Sequence, residues 1–288
     1  MKNNIELQNV SKKYKDFELK NVSFNVPEGC VVGLIGENGA GKSTTIKSIL
    51  NITKCNGNIN IFGENHIKNE KKLKEDIGVV LDDSFLSDYL TAKRVNSIMK
   101  DVYKTWDENK YMNLLKQFNL PIDKLIKDFS SGMKMKLKIA VAISHNPKLL
   151  ILDEPTSGLD PVVRNEILDI FRRYIEEDET RSILLSTHIT TDLEHISDYI
   201  VLIKNGRIIF NVPTDELLEN YGIIKCSKED FNRLDEKDYV QYQKGKYQYE
   251  VLTNDKSNIK RKYNITTIDK PSIEDIMLFY IKGEKLQR

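Results

Sequence analysis

The chain has 288 residues, a length that at about 150 residues per domain predicts one large domain, or a large domain with a small one. Hydrophobic residues make up 40% of it, and its 44 basic side chains nearly balance its 43 acidic ones. This composition excludes a disordered chain and a polyanion-binding protein that depends on bulk charge. The longest apolar runs, such as residues 149–152, fall far short of the roughly 18 residues that a membrane-spanning helix needs.

The opening residues 1–6 lack the apolar segment of a secretory signal peptide. The cysteines are Cys30, Cys55 and Cys226, an odd number without metal-ligand spacing, which indicates reduced thiols. Because reduced thiols are typical of a reducing compartment, these features predict a soluble cytoplasmic protein.

Strand-like apolar runs recur between helical patterns, which is typical of a largely parallel sheet covered by helices. The opening stretches 5–10 and 22–26 alternate in polarity and predict half-exposed antiparallel strands. Five later runs are almost continuously apolar and predict strands that are buried on both faces. These runs are residues 31–35, 77–81, 149–152, 182–186 and 199–203.

A helix-dense insert lies between two of these strands and predicts a separate helical subdomain over about residues 85–146. From about residue 223 the composition becomes aromatic, Lys-rich and strand-like, and a final amphipathic helix is predicted over about residues 271–281. This segment predicts a small α+β appendage. The predicted domains are residues 1–222 and 223–288.

Residues 36–43 match the pattern G-x-x-x-x-G-K-[ST] in full, between a predicted strand and a predicted helix. Glycines allow such a loop to turn its backbone N–H groups toward phosphate oxygens, and the helix dipole favours the same anion. Lys42 is predicted to reach the β- and γ-phosphates, and the Ser43 hydroxyl to bind Mg²⁺. The predicted phosphate-loop residues are Gly36, Glu37, Asn38, Gly39, Ala40, Gly41, Lys42, Ser43 and Thr44.

The apolar run at residues 149–152 ends in Asp153 and Glu154, which places two carboxylates at the carboxyl edge of the sheet, where α/β proteins bind ligands. Asp153 is predicted to hold Mg²⁺ through water, and Glu154 to polarise the attacking water. Together with the phosphate loop, this segment predicts an α/β P-loop NTPase.

Three further segments resemble the ATP-binding cassette (ABC) family. Residues 129–134 resemble its signature loop, which commonly reads Leu-Ser-Gly-Gly-Gln. Residues 153–160 look like its Walker B segment continuing into its D-loop, and residues 186–188 match its switch-histidine segment. Tyr14 lies where the family stacks an aromatic ring on adenine. The resemblance covers about residues 1–222.

The resemblance implies that two nucleotide-binding domains pack head to tail and that each ATP binds between the phosphate loop of one subunit and the signature loop of the other. His188 would contact the γ-phosphate and the attacking water, and Asp160 belongs to the D-loop. The alternatives are a structural histidine at a strand end and, for Tyr14, a half-buried strand-end aromatic residue. The signature-loop residues implied to bind ATP are Ser130, Ser131, Gly132 and Met133.

The sequence departs from the family pattern at three positions. Asp82 stands where a glutamine is usual, and its carboxylate is a possible Mg²⁺ ligand. Ser131 replaces a usual glycine, and Met133 replaces a usual glutamine. This form of the signature resembles the cassettes of bacterial exporters and immunity systems for lantibiotics, bacitracin and secreted amphipathic toxins.

The resemblance therefore implies an ATPase that drives export of a peptide or another antimicrobial or toxic compound. Since the chain itself has no predicted membrane span, the transmembrane permease would be a separate polypeptide, and the ATPase would lie on the cytoplasmic face of the membrane as a homodimer or heterodimer. The apolar residues expected to dock the permease are Phe85, Leu86, Tyr89 and Leu90. The accessory segment is expected to pack on the cassette or across a dimer.

Two other functions are the alternatives for a cassette protein. The first is a soluble cassette ATPase that acts on ribosomes or DNA. Such proteins typically carry two cassettes in one chain, or a long coiled-coil or zinc-hook insertion, whereas this chain has one cassette, no heptad run and no Cys-x-x-Cys pair, so no nucleic acid partner is expected. The second is a regulatory ATP-binding module without turnover. The presence of Glu154 and His188 disfavours it.

Overall fold

The computed structural model describes residues 2–81, 86–264 and 267–284. The strands are β1 (Asn3–Lys13), β2 (Glu18–Pro27), β3 (Val31–Ile35), β4 (Asn56–Ile61), β5 (Glu64–Asn65), β6 (Ile77–Val80), β7 (Leu149–Asp153), β8 (Ser182–Thr187), β9 (Tyr199–Lys204), β10 (Arg207–Pro213), β11 (Gly222–Cys226), β12 (Gln241–Lys244) and β13 (Tyr249–Thr253). The α-helices are α1 (Lys42–Ile49), α2 (Glu70–Glu75), α3 (Ala92–Val102), α4 (Glu108–Gln117), α5 (Ser131–Ile143), α6 (Pro161–Glu176), α7 (Thr190–Ile196), α8 (Thr214–Asn220), α9 (Lys228–Phe231), α10 (Lys256–Lys262) and α11 (Ile273–Lys282).

The central sheet has six strands in the order β10-β9-β3-β8-β7-β6. Its strands are parallel from β9 to β6, and β10 pairs antiparallel with β9 at one edge. β3, β7 and β8 are buried along their whole length, as their nearly continuous apolar sequences require. The predicted α/β fold with a largely parallel sheet is confirmed.

Alternate residues of β3 enter two different hydrophobic cores. Val31 and Ile35 belong to a core formed with the helices, whereas Val32 and Leu34 belong to a second core. That second core is shared with Ile5 and other residues of the antiparallel sheet β2-β1-β4-β5. Because side chains alternate along a strand, one central strand connects the antiparallel sheet with the helical layer and fixes the position of the loop that follows it.

The insert between β6 and β7 is helical, as predicted, and contains α3, α4 and α5. The first two of these helices begin at side-chain caps: Thr91 accepts from the Arg94 N–H and Asp107 accepts from the Lys110 N–H. Tyr111 is fully buried and donates from its hydroxyl to the Ala92 carbonyl at 3.0 Å. This hydrogen bond satisfies the polar end of a large core side chain and joins α4 to the start of α3.

His145 connects the helical insert to the central sheet. Its side chain is 1% exposed, its Nε2 lies 3.2 Å from the Ile77 carbonyl oxygen, and its ring stacks on that of Tyr103. Burial lowers the pKa of His145 from 6.5 to about 4. Because the unfolded chain binds a proton over this range and the folded chain does not, the free energy of unfolding falls as the pH drops from 6.5 toward 4.

We expect His145→Gln to remove this acid-dependent loss of stability, which lowers the free energy of unfolding by about 2 kcal/mol at pH 5. Urea unfolding at pH 7.5 and pH 5 measures it as the difference in pH dependence between the variant and the wild type. Burial also lowers the pKa of His66, so the variant keeps part of the acid sensitivity. The exposed His195 supplies the control, His195→Gln, which should unfold like the wild type at both pH values. An unchanged pH dependence in His145→Gln would contradict the assignment.

The C-terminal segment forms a three-stranded antiparallel sheet, β11-β13-β12, with its own small hydrophobic core. Helix α11 begins at a capping box in which Ser272 and Asp275 exchange hydrogen bonds. Its apolar residues Ile273, Ile276 and Phe279 are buried in the core that the cassette helices form. The final helix therefore covers the cassette rather than the accessory sheet alone.

Polar contacts fix the same helix on the cassette. The Ile273 N–H at the start of α11 donates to Glu194 Oε1 of α7 at 2.9 Å. Near the other end, Lys204 Nζ of β9 donates to the Tyr280 carbonyl at 2.8 Å, and the Tyr280 and Tyr221 hydroxyls lie 3.1 Å apart. Both ends of α11 are thus attached to elements that precede residue 222.

Candidate functional site

The phosphate loop connects the buried strand β3 to α1. Gly41 is the N-cap of α1 and has φ of +118°, a left-handed conformation that favours glycine. A Cβ on Gly36 would lie 2.3 Å from the Ile203 carbonyl oxygen, so a side chain there would collide with the backbone of β9. Residues 37–39 are exposed at the tip of the loop, and Ser43 is exposed at the first turn of the helix. The loop therefore presents its backbone N–H groups and one hydroxyl at a helix N-terminus.

Lys42 is 5% exposed and lies over the loop from which it comes. Its Nζ donates to the Gly36 carbonyl at 2.8 Å and to the Glu37 carbonyl at 3.3 Å. It also lies 3.3 Å from Oε1 of Glu154. A buried ammonium requires such partners, and here they direct its charge toward the end of β7.

β7 carries the two predicted carboxylates to the edge of the sheet. Asp153 is 2% exposed and accepts a hydrogen bond from the Ser186 hydroxyl at 2.5 Å. Glu154 follows with φ of +51°, an uncommon conformation for a residue with a side chain, and its N–H donates to the Ser186 carbonyl at 3.0 Å. This backbone conformation at the end of the strand accompanies a carboxylate that is directed toward Lys42.

His188 lies on the other side of the same carboxylate. Its Nδ1 is 2.7 Å from Oε2 of Glu154, and its backbone N–H donates to the same oxygen at 3.2 Å. The side chain is 44% exposed, so part of the imidazole ring is accessible to a ligand. The structure thus brings together the three residues predicted to be catalytic, Lys42, Glu154 and His188, with the carboxylate between the two nitrogen groups.

A cavity of about 740 Å³ opens over these groups, which is within the range of small-molecule sites. It is lined by Asp16, Phe17, Glu37, Asn38, Gly39, Gly41, Lys42, Ser43, Thr44, Glu154, Ser157 and His188. Tyr14, the predicted adenine contact, is absent from this lining and is 43% exposed. Its N–H donates to the Phe17 carbonyl at 2.8 Å, and the centres of the two rings are 6.4 Å apart.

Phe17 is therefore the aromatic residue that borders the cavity, and the sequence interpretation missed it. The available signal was a second aromatic residue three positions after Tyr14 in the same connection between two predicted strands. The polar residues Asp16 and Ser157 also line the cavity without having been predicted. Ala40, which was predicted to contact the nucleotide, is buried behind the loop, and its carbonyl accepts from the Gly206 N–H.

The signature-loop residues lie outside this cavity. Ser130 is the N-cap of α5 and accepts from the Met133 N–H at 3.3 Å. Ser130 and Ser131 are exposed, whereas Gly132 is buried, and a Cβ there would lie 3.3 Å from the side chain of Val163. The N-terminus of α5 is thus open to another molecule, but no signature residue lines the phosphate-loop cavity of the same chain.

Asp160 has a local structural role. Its carboxylate accepts hydrogen bonds from the Val162 and Val163 N–H groups at 3.1 Å and caps α6, whose first residue is Pro161. The Asp-Pro sequence was a signal for this cap. Asp160 is exposed and, like the signature loop, lies outside the cavity lining.

Of the predicted Mg²⁺ ligands, Ser43 lines the cavity and Asp153 lies buried at the end of β7, whereas Asp82 falls outside the described residues.

The residues expected to dock the permease differ in their exposure. Phe85 falls outside the described residues. The expectation is wrong for Leu86, which is 7% exposed because it packs into the helical core, and Leu90 is partly buried. Tyr89, by contrast, is 79% exposed.

Across the described helices, none has both the length and the apolar character that crossing a membrane requires. The longest of them, α6, has 16 residues and is amphipathic.

Comparison with known proteins identifies the cassette. The family model for ABC transporters matches residues 19–157. The chain is 36% identical over 199 residues to the bacitracin transport ATP-binding protein BcrA of Bacillus licheniformis, a match that covers 68% of this chain and 65% of that protein. It is 37% identical over 215 residues to the lantibiotic transport ATP-binding protein SrtF of Streptococcus pyogenes, covering 73% of this chain and 91% of that protein.

Solved structures give the same result. The ATP-binding subunit of an ABC transporter has a TM-score of 0.68 and 31% identity, and the match covers 75% of this chain and 92% of that one. The cassette MJ0796 in a dimeric post-hydrolysis state with ADP and phosphate has a TM-score of 0.65 and 25% identity, over 73% of this chain and 98% of that one. These matches confirm the resemblance that the motifs indicated and the ATPase activity that it implied. The chain belongs to the ATP-hydrolysing ATP-binding proteins of the ABC transporter family.

Proposed function

We propose that this chain is the motor subunit of a bacterial ABC exporter, which couples ATP binding, dimerisation and hydrolysis to export of an antimicrobial peptide or a similar toxic compound through a separate membrane subunit. The observation that carries the proposal is the carboxylate of Glu154 between Lys42 and His188 at the mouth of the phosphate-loop cavity. The names of the bacitracin and lantibiotic transport relatives support the class of cargo.

Nucleotide phosphates would bind to the N–H groups of residues 37–43 at the N-terminus of α1, where the helix dipole adds to the charge of Lys42. The residues present fit Mg²⁺, since the Ser43 hydroxyl lines the cavity and the Asp153 carboxylate lies at the end of the adjoining strand. Bound Mg²⁺ would neutralise phosphate charge. Phe17 borders the cavity, and the ring of Tyr14 lies next to the ring of Phe17, so both are proposed aromatic contacts of the adenine ring.

Hydrolysis would proceed by attack of water on the γ-phosphorus. Glu154 would accept a proton from the water while the water oxygen forms a new bond to the γ-phosphorus. The bond between the γ-phosphorus and the oxygen that bridges to the β-phosphate would break, which releases ADP and phosphate. Lys42 would stabilise the charge that develops on the phosphoryl oxygens. His188 holds the Glu154 carboxylate through two hydrogen bonds and would contact the γ-phosphate with its other ring nitrogen, Nε2.

A second copy or a related cassette would complete the site. Ser130 and Ser131 are exposed at the N-terminus of α5, a 13-residue helix, but do not reach the cavity of their own chain. A head-to-tail dimer would bring that N-terminus to the γ-phosphate bound by the partner, where its dipole and N–H groups favour the anion. Loss of the bridging phosphate on hydrolysis would then reopen the dimer.

The membrane subunit would dock on the helical insert, where Tyr89 is exposed, and would place this chain on the cytoplasmic face of the membrane. We expect a tagged chain purified from detergent-solubilised membranes to retain a multi-span protein, and Tyr89→Asp to reduce its recovery severalfold because a charge replaces an aromatic ring that the complex would bury. Mass spectrometry of the purified complex measures this recovery.

Tyr247, which is 86% exposed on the accessory segment, provides the matched control, since Tyr247→Asp should leave recovery of the membrane protein unchanged. Both variants should keep the ATPase activity of the wild type, because neither residue lines the nucleotide cavity. A wild-type chain that sediments with ribosomes and carries no membrane protein would contradict the proposal and support the alternative of a ribosome-associated ATPase.

A further inference from the structure

A buried hydrogen bond joins the segment that follows Glu154 to the helix that follows His188. The Thr156 hydroxyl donates to Oδ2 of Asp192 at 2.7 Å, and the two residues are 1% and 3% exposed. Thr156 lies two residues after Glu154, and Asp192 lies four residues after His188 in the first turn of α7. The bond therefore spans the two segments that supply the proposed base and the switch histidine.

The other oxygen of Asp192 faces a third element of the site. Arg164 Nη1 of α6 lies 3.7 Å from Oδ1 of Asp192, and the Arg164 side chain is 27% exposed. Asp160 of the D-loop caps helix α6. A single buried carboxylate is thus shared between the loop of residues 154–160, helix α6 and helix α7. A buried carboxylate without such partners would strongly destabilise the fold, so the arrangement restrains all three elements together.

Backbone contacts extend this restraint to the reacting groups. The Ser157 N–H donates to the Glu154 carbonyl at 3.2 Å, and Ser157 itself lines the cavity. On the other side, the Asp192 N–H donates to the Ile189 carbonyl at 3.4 Å, next to His188. A change in the separation of Thr156 and Asp192 would therefore alter the contact between Glu154 and His188, which is now 2.7 Å.

We propose that Asp192, through its hydrogen bond with Thr156, is a positioning residue that fixes Glu154 and His188 relative to each other during ATP hydrolysis. Neither Asp192 nor Thr156 touches the nucleotide cavity, so the effect acts through geometry. The inference rests on the proposed role of Glu154 as the base. Since catalysis is sensitive to displacements on the order of 1 Å, loss of the hydrogen bond should lower kcat more than it changes the KM for ATP.

The test compares Thr156→Val, which removes the hydroxyl but keeps the shape, with Thr156→Ser, which keeps the hydroxyl. We expect Thr156→Val to lower kcat by about 10- to 100-fold with the KM for ATP within about threefold, and Thr156→Ser to stay within about threefold of the wild type on both. Thr156→Ala is the second variant and should match Thr156→Val. Asp169→Ala, which removes a half-exposed carboxylate of α6, is the control and should behave as the wild type.

A double-mutant cycle separates positioning from general destabilisation. If Thr156 acts through Glu154, then adding Thr156→Val to Glu154→Gln should lower single-turnover hydrolysis by less than about threefold, since the residue that it positions is already inactive. An equal fall in both backgrounds, or a kcat of Thr156→Val and Thr156→Ala within twofold of the wild type, would overturn the inference. If Glu154→Gln itself keeps normal turnover, it is the proposed function that fails.

Discussion

Replacing Glu154 with glutamine is expected to lower ATP turnover by about 10²- to 10⁴-fold while ATP binding is retained. The amide has the shape of the carboxylate but cannot accept the proton of the attacking water. It also removes the negative charge that lies 3.3 Å from Lys42 and would face the γ-phosphate. Because bound ATP is then neither hydrolysed nor repelled by this carboxylate, the head-to-tail dimer should persist.

Phosphate release measures the turnover, and sedimentation velocity with ATP and Mg²⁺ measures the dimer. The variant should sediment as a dimer with ATP and as a monomer with ADP. Glu219, an exposed carboxylate of α8, gives the matched control Glu219→Gln, which should keep wild-type turnover. A Glu154→Gln protein that stays monomeric with ATP and hydrolyses it normally would exclude the proposed base.

Two inactive variants are expected to restore each other when they are mixed. Lys42→Ala removes the buried ammonium of the phosphate loop, and Ser131→Glu places a carboxylate at the exposed N-terminus of α5, where it would repel a partner's γ-phosphate. A glutamate is favourable in the first turn of a helix and Ser130 remains as the cap, so the second variant should fold normally. Each variant alone should lose almost all turnover.

In a homodimer that contains one copy of each variant, one composite site carries both changes and the other carries neither. An equimolar mixture should therefore recover about a quarter of the wild-type turnover if subunits exchange freely and sites act independently. The control mixes Lys42→Ala with the double variant Lys42→Ala/Ser131→Glu, which contains no intact site and should stay inactive. A mixture of the two single variants that remains at the level of its components would contradict a site shared between copies of this chain.

Local sequence patterns were sufficient to predict the five parallel strands of the central sheet, whereas its antiparallel edge strand β10 was not predicted. β3 has the predicted bounds, 31–35, because both of its faces are buried and its apolar run is bounded by turn-forming residues. β7 extends one residue further than predicted, to Asp153, since pairing with β8 continues to Ser186. Here the hydrophobic pattern and the tertiary contacts require the same strand, so local sequence was informative.

The accessory segment was predicted less accurately. The strand-like runs in its sequence cover residues 239–243 and 247–252, but the strands are β12 (Gln241–Lys244) and β13 (Tyr249–Thr253). Tyr239 contributes its ring to the aromatic cluster of this segment without belonging to a strand. An aromatic run favours burial but does not define where the ladder begins, because the register depends on partners that are distant in sequence.

In the candidate site, too, local sequence predicted some features, whereas others depend on residues that are distant in sequence. The phosphate loop and the Asp153-Glu154 pair could be recognised because their chemistry depends on consecutive residues. The approach of His188 to Glu154 could be expected only through the family resemblance, and the bond between Thr156 and Asp192 had no signal at all, since a threonine and an aspartate 36 positions apart have no characteristic spacing. Phe17 was missed because a more familiar aromatic position lies next to it.

The attachment of α11 to the cassette has a consequence for folding during synthesis. Leu217, a buried residue of the same core as Ile276, leaves the ribosome well before α11 is made. At a translation rate of about 5–20 residues per second, roughly 3–11 s pass between the synthesis of Leu217 and that of Ile273. During this interval the nascent cassette lacks the helix that covers part of its core, so the apolar residues that α11 covers near α7 and β10 are accessible to chaperones or to aggregation until α11 is made and packs on them.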